Sequence, residues 1–138
     1  MTAKDSYSLP QLRKVITQDQ INLYAKASGD FNPIHLDPDF AASSSFGRIV
    51  AHGMLVLAFL SEMMTTAFGS VWLESGQLKV RFRGPAYPGD EVTTFGDISK
   101  VLNLEEGQRT VFVIGCHNQK GESLITGEAS VYSEKKMS

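Results

Sequence analysis

Residues 28–54 read SGDFNPIHLDPDFAASSSFGRIVAHGM and hold the groups best suited to chemistry. A carboxylate (Asp30), an amide (Asn32) and an imidazole (His35) fall close together, with Pro33 between them. His52-Gly53 then opens a nearly all-apolar run. A carboxylate and an imidazole that reach one water can take and return a proton. The N–H of Gly53, at a helix start, lacks an intrahelical partner and sits at the positive end of the helix dipole. It can therefore donate to a developing oxyanion, and the missing Cβ lets a ligand approach. The spacing of Asp30 and His35 does not place them on one helix face. Pro33 biases the residue before it to extended backbone and forbids a continuous helix, so a loop must converge the two side chains.

Each residue also has a plainer reading. Asp30 after Gly29 suits an Asx turn, and Asn32 before Pro33 suits turn initiation. Gly53 could be only a helix start. The combined block favours a site at Asp30, His35 and Gly53. Asn32 and Ser61 stay open between the two readings, since a serine inside an apolar helix can bond back to a carbonyl one turn earlier. His52 reads as a packing or capping residue that positions Gly53. Asp37 reads as a helix cap, His117 as structural, Cys116 as a small buried hydrophobe, and Trp72 as core. The pattern suggests no metal cluster and no Gly-rich phosphate loop, so no metal and no cofactor are expected.

These residues must be held by a fold. The 138 residues suffice for one domain with a proper core. Hydrophobic residues at 42% and charged residues at 20% suit a soluble globular protein. A net charge of −2 argues against nucleic acid or an anionic membrane as the main partner. One cysteine excludes an intrachain disulfide and a Cys-rich metal site, and fits a reducing compartment. The first residues, MTAKDSYSLPQ, hold no apolar signal core, and the apolar run 54–60 is too short to span a bilayer. A cytoplasmic protein is expected.

Residues 1–8 and 133–138, with Lys135 and Lys136, read as loose tails. Residues 12–16 read as a short strand. Thr17-Gln18-Asp19-Gln20 matches a capping box, with Ile21, Tyr24 and Ala25 on one face of the helix it opens and Ser28-Gly29 at its end. Asp37-Pro38 opens a short helix through Ala42, which Ser43–Ser45 dissolves. Residues 53–68 form a long helix of about 24 Å at 1.5 Å per residue. Its first turns have no polar face, so it must be buried. Beyond Gly69 the period becomes two. Leu78, Val80 and Phe82 alternate with Lys79, Arg81 and Arg83, giving a half-buried strand with a basic outer face. GPAYPGD (84–90) is a turn region, and 92–104, 109–119 and 123–132 are strands joined by hairpins at Glu106-Gly107 and Lys120-Gly121. Helices come first and a β-meander follows. The expected class is α+β, with an antiparallel sheet wrapped around a long buried central helix.

With motif and architecture together, the chain resembles the MaoC-like, (R)-specific enoyl-CoA hydratases of the hot-dog fold. The matching residues are Tyr24-Ala25, the block SGDFNPIH (28–35), Asp37-Pro38, Phe40-Ala41, Phe46 and His52-Gly53-Met54. Weaker matches follow at Pro88-Gly89-Asp90-Glu91-Val92 and Thr126-Gly127-Glu128-Ala129. The resemblance covers roughly residues 10–132 of a single domain over 1–138. It implies that Asp30 and His35 are the catalytic pair and that Asn32 is a site residue. It also implies that Gly53 is the backbone donor to a thioester carbonyl, and that Ser61 matches a helix serine supporting the catalytic His in some members. A homodimer with joined sheets is implied, the thioester passing between protomers.

The resulting expectation is a hydro-lyase that reversibly adds water to trans-2-enoyl thioesters. Such a reaction needs a base for water, a proton for C2 and donors for the enolate oxygen. Three alternatives differ in kind. One is a 3-hydroxyacyl-[acyl-carrier-protein] dehydratase of fatty-acid synthesis, another a hot-dog acyl-CoA thioesterase, and the last a non-catalytic acyl-thioester binding module. The face of Lys79, Arg81 and Arg83 reads most simply as solvated. Its sharper reading is a dock for CoA phosphates or for an acidic carrier protein.

Overall fold

The computed structural model describes residues 8–134. Helix α1 spans Gln18–Ser28, with Thr17 as its cap. Thr17 Oγ1 accepts from Gln20 N at 3.1 Å. Gln20 Oε1 is buried without a partner, so the return half of the capping box is not made. Gly29, at φ 79°, ends α1, its N–H donating to Ala25 O at 2.9 Å. A left-handed turn of this kind suits glycine, and it throws the chain into Asp30.

Pro33 behaves differently from expectation. It opens a one-turn helix, α2 (Pro33–Leu36), capped by Asn32, whose Oδ1 accepts from Ile34 N at 3.0 Å. Proline fits there because the first N–H of a helix has no partner to lose. Asp30 therefore precedes α2 and His35 lies within it. Asp37 then caps α3 (Pro38–Ala42) as expected, its Oδ1 accepting from Asp39 N and Phe40 N. Such caps contribute about 1 kcal/mol.

The long helix α4 runs Gly53–Phe68, as the sequence indicates. Leu55, Val56, Phe59, Leu60, Met63 and Met64 are buried. Burial is not complete around the helix, however. Met54 is 56% exposed, and Ala58 one turn on is also exposed. The sheet covers only part of the helix surface, leaving this stripe open in a single chain. A further short helix, α5 (Ser70–Ser75), follows Gly69 where the sequence suggested none, and it buries Trp72.

One antiparallel sheet contains β1 (Arg13–Val15), β2 (Gln77–Phe82), β3 (Glu91–Asn103), β4 (Gly107–His117) and β5 (Ser123–Glu134). Its order is β1-β3-β4-β5-β2. Only β3, β4 and β5 form the expected meander. β2 crosses to the far edge and pairs with β5, with Lys79 opposite Glu128 and Arg81 opposite Thr126. The cause lies in α5, whose Ser75 Oγ accepts from Tyr132 N of β5 at 3.0 Å and so delivers the chain beside β5. Phe82, last on this edge strand, is 53% exposed rather than inward-facing. Arg83 lies just past the strand, its Nε donating to Thr126 Oγ1.

The termini are more ordered than expected where they are described. Ser8 bridges Asp97, and Ser133 and Glu134 belong to β5. The remaining tail residues, Lys135 and Lys136 among them, lie outside the described residues. The core joins Leu60, Met63 and Met64 of α4 to Phe112, Ile114 and Ile125 of the sheet. Each such burial contributes about 1.5–3 kcal/mol. Cys116 is part of it. Burial pushes its thiol up to about 11, opposed by a backbone hydrogen bond with Ile125. Among the described residues, no helix is long and apolar enough to cross a membrane.

Candidate active site

The α1–α2 junction meets the start of α4. His35 Nδ1 donates to Val50 O at 2.7 Å. A carbonyl only accepts, so this bond puts the proton on Nδ1 and leaves Nε2 as the bare nitrogen of the neutral ring. His52 Nε2 likewise donates to the backbone Asp30 O at 3.0 Å. Its Nδ1 is buried and has no partner. The two imidazoles stack with centroids 3.9 Å apart and planes 27° from parallel. Tyr24 lies on His52 too, 4.8 Å between ring centres. Asp30 is exposed and His35 half-buried, whereas His52 is buried.

Asp30 fulfils both of its readings. Its Oδ1 accepts from Asn32 N at 3.2 Å, an Asx turn, which leaves the other oxygen for chemistry. Asn32 spends its own Oδ1 capping α2. Ligating atoms of Asp30, His35 and His52 all lie within 4.8 Å of one another. The same trio could offer ligands to a cation, but one nitrogen of each ring is already committed to a carbonyl.

Gly53 begins α4 directly after His52. It lines an apolar groove of about 370 Å³ together with Phe46, Val50, Ala51, Val56 and Phe82. Asp30 and His35 are not on this lining. The segment 50–53 joins the two halves, for it supplies the carbonyl that orients His35, the stacked His52 and the Gly53 N–H.

The chain matches known proteins over most of its length. Residues 3–114 match the MaoC like domain. The (R)-specific enoyl-CoA hydratase of Aeromonas caviae is 34% identical over 124 residues, 88% of this chain and 89% of that protein. The chain belongs to the MaoC-like domain family. The 3-hydroxyacyl-thioester dehydratase Z of Mycobacterium tuberculosis is 38% identical over 96 residues, 67% of this chain and 64% of that protein. The solved (R)-hydratase from A. caviae involved in PHA biosynthesis superimposes with a TM-score of 0.78 at 29% identity, covering 91% of this chain and 92% of that one. The MaoC-like architecture is the hot-dog fold, and the enzyme class is that of a hydro-lyase, as for the family's hydratases and dehydratases.

Within this MaoC-like domain, Asp30, His35 and Gly53 come to one end of α4. Ser61 lies two turns further along, and its Oγ accepts from Trp72 Nε1 at 3.0 Å. Its hydroxyl thus has a partner in α5. The sequence reading linked His52 only to Gly53. Its hydrogen bond to Asp30 and its stack on His35 are long-range contacts, for which the only sequence signal is a His-Gly pair ahead of an apolar run.

Proposed function

We propose that the chain interconverts a trans-2-enoyl thioester and the (R)-3-hydroxyacyl thioester, with Asp30 and His35 as the acid/base pair. The carrying observation is the fixed tautomer of His35. Its Nδ1–H is held by Val50 O, so whenever the ring is neutral Nε2 is the acceptor. A water between Nε2 and the free oxygen of Asp30 then has an acceptor for each hydrogen. As its oxygen bonds to C3, one O–H breaks and the proton passes to the pair. The C2=C3 π electrons move toward the carbonyl as an enolate. They return to form the C2–H bond with that proton, and the pair ends as it began. The Gly53 N–H donates to the enolate oxygen, an interaction of a kind worth about 2.7–4 kcal/mol at the transition state. Asn32 shapes the turn that presents Asp30.

A C2 homodimer completes this picture. Phe31, Met54 and Phe82 are all more than half exposed, and each lies in or next to the segments that carry the site. A second protomer would cover them and wall the acyl channel. Light scattering should then give about twice 15.1 kDa. An active monomer would remove the shared channel.

The decisive test is a panel of trans-2-enoyl thioesters, followed by loss of the conjugated enoyl absorbance without added metal or nucleotide. Release of free thiol with no hydroxyacyl product would instead assign a thioesterase. Binding without turnover would assign a binding module.

A further inference from the structure

A helix of one turn does not hold its own shape. Nucleating a helix fixes several dihedrals for one hydrogen bond, so so short a helix stands only where other groups hold it. In α2 three carbonyls are held, each by a different part of the chain. Pro33 O accepts from Asp37 N at 2.8 Å, the C-terminal cap of α2 itself. Ile34 O accepts from Val50 N at 3.3 Å, in the segment before α4. His35 O accepts from Gln18 Nε2 at 3.0 Å, in the first turn of α1. Of the three bonds, the last is the one made by a side chain, and it ends on the residue that carries the imidazole.

The orientation of the Gln18 amide is decided by its partners. A backbone carbonyl only accepts, so the end facing His35 O must be the NH2. That nitrogen also donates to Asn22 Oδ1 at 3.0 Å, one turn along α1. Both of its hydrogens are thus spent, and Asn22 braces the side chain against its own helix. Val50 supplies the complementary hold. Its N–H donates to Ile34 O, and its carbonyl accepts from His35 Nδ1. The ring of His35 is therefore held by Val50, and the peptide of the same residue by Gln18. In the sequence Gln18 is only the first helical residue after the Thr17 cap, with nothing to connect it to a histidine seventeen positions away.

We propose that Gln18 is a positioning residue for His35: by holding the His35 peptide against α1, it sets the reach of Nε2 toward the water shared with Asp30. The inference rests on the hydratase reading above. Without the Gln18 donor, α2 keeps its cap and the Val50 bonds but loses its tie to α1. A displacement of about 1 Å at a reacting group costs about 10²-fold, and a smaller shift, with the ring still on Val50, costs about tenfold.

Two variants test this. Gln18→Met keeps the length and removes the donor. Gln18→Glu keeps the shape and turns a carboxylate toward two oxygens that can only accept. Both should lower kcat for crotonyl-CoA by about tenfold or more, with KM within about twofold of wild type. Thr17→Ala is the control. It removes the cap beside Gln18 and lowers the melting temperature by a few degrees, yet kcat should stay within about twofold. The imidazole nitrogens give a second readout, by 15N NMR at a pH where the ring is neutral. The chain has three histidines, and His35→Ala identifies the signals of His35. In the wild type these should report the Nδ1–H tautomer, and in Gln18→Met they should move toward the average of the two tautomers. Wild-type kcat in either Gln18 variant overturns the proposal. An equal kcat loss in Thr17→Ala overturns it as well, since general loosening of α1 would then be the cause. Unchanged His35 signals in Gln18→Met do the same. The NMR comparison needs no turnover, so failure of the hydratase reading would show separately, as a wild type that hydrates no enoyl thioester while its His35 signals still depend on Gln18.

Discussion

The imidazole of His52 is stacked on that of His35 at 3.9 Å and holds the backbone of Asp30 through Nε2. One buried side chain therefore fixes both members of the proposed acid/base pair, and its own peptide leads into Gly53. His52→Phe keeps a ring to stack on but loses the donor. His52→Gln keeps a donor but loses the stack. Both should lower kcat by about 10²-fold with a smaller change in KM, since a displacement of about 1 Å at a reacting group has that effect. Steady-state kinetics beside thermal melts check this. A kcat drop seen only in variants that also melt early would make His52 a packing residue alone.

Asp30→Asn and His35→Ala should each reduce kcat by about 10² or more. Neither should unfold the chain, because Asp30 is exposed and His35 only half-buried. The pair acts on one water, so the double variant should be little worse than the worse single one. Full activity in Asp30→Asn would remove the carboxylate from the mechanism.

Gly53→Ala separates space from fold. A Cβ there would meet Phe82 Cε1 at 3.1 Å, tighter than an ordinary contact. Phe82 is half exposed and can yield, so the added methyl costs little stability. The melting temperature should therefore stay within a few degrees of wild type. The added methyl narrows the groove where a thioester would approach the Gly53 N–H, so activity should fall about tenfold or more. Unchanged kcat/KM would place the carbonyl elsewhere.

Cys116 gives stability a dependence on alkaline pH. Its folded thiol titrates at about 11 against 9.0 when free. The folded chain thus holds the proton more tightly, and the associated stability is complete below pH 9 and lost as pH rises toward 11. The amount is on the order of 3 kcal/mol. Urea melts of the wild type and Cys116→Ala across this range should show a steeper decline in the wild type. Equal slopes would count against the buried thiol as the cause. At pH 8 the native thiol should also resist disulfide reagents that label it at once in urea.

The sequence by itself determined the local pieces and the chemistry they could carry. The bounds of α4 follow from an apolar run between Gly53 and Gly69. The caps at Thr17 and Asp37 are short-range bonds written in neighbouring residues, and the motif of Asp30, Asn32, His35 and Gly53 named the family now matched over residues 3–114. Alternating polarity located β2, and turn signals at Glu106-Gly107 and Lys120-Gly121 divided β3, β4 and β5. The tertiary structure decided whatever depends on partners distant in the chain. β2 lies beside β5 because Ser75 of α5 binds Tyr132, a relation no local period records. Whether Phe82 faces the core or the groove depends on where that edge strand ends. The same holds for His52, whose one acceptor, Asp30 O, lies between α1 and α2 and whose stacking neighbour, His35, lies in α2. Periodicity reports which face of an element is apolar, but side-chain convergence is set by packing between elements, and that requires the folded chain.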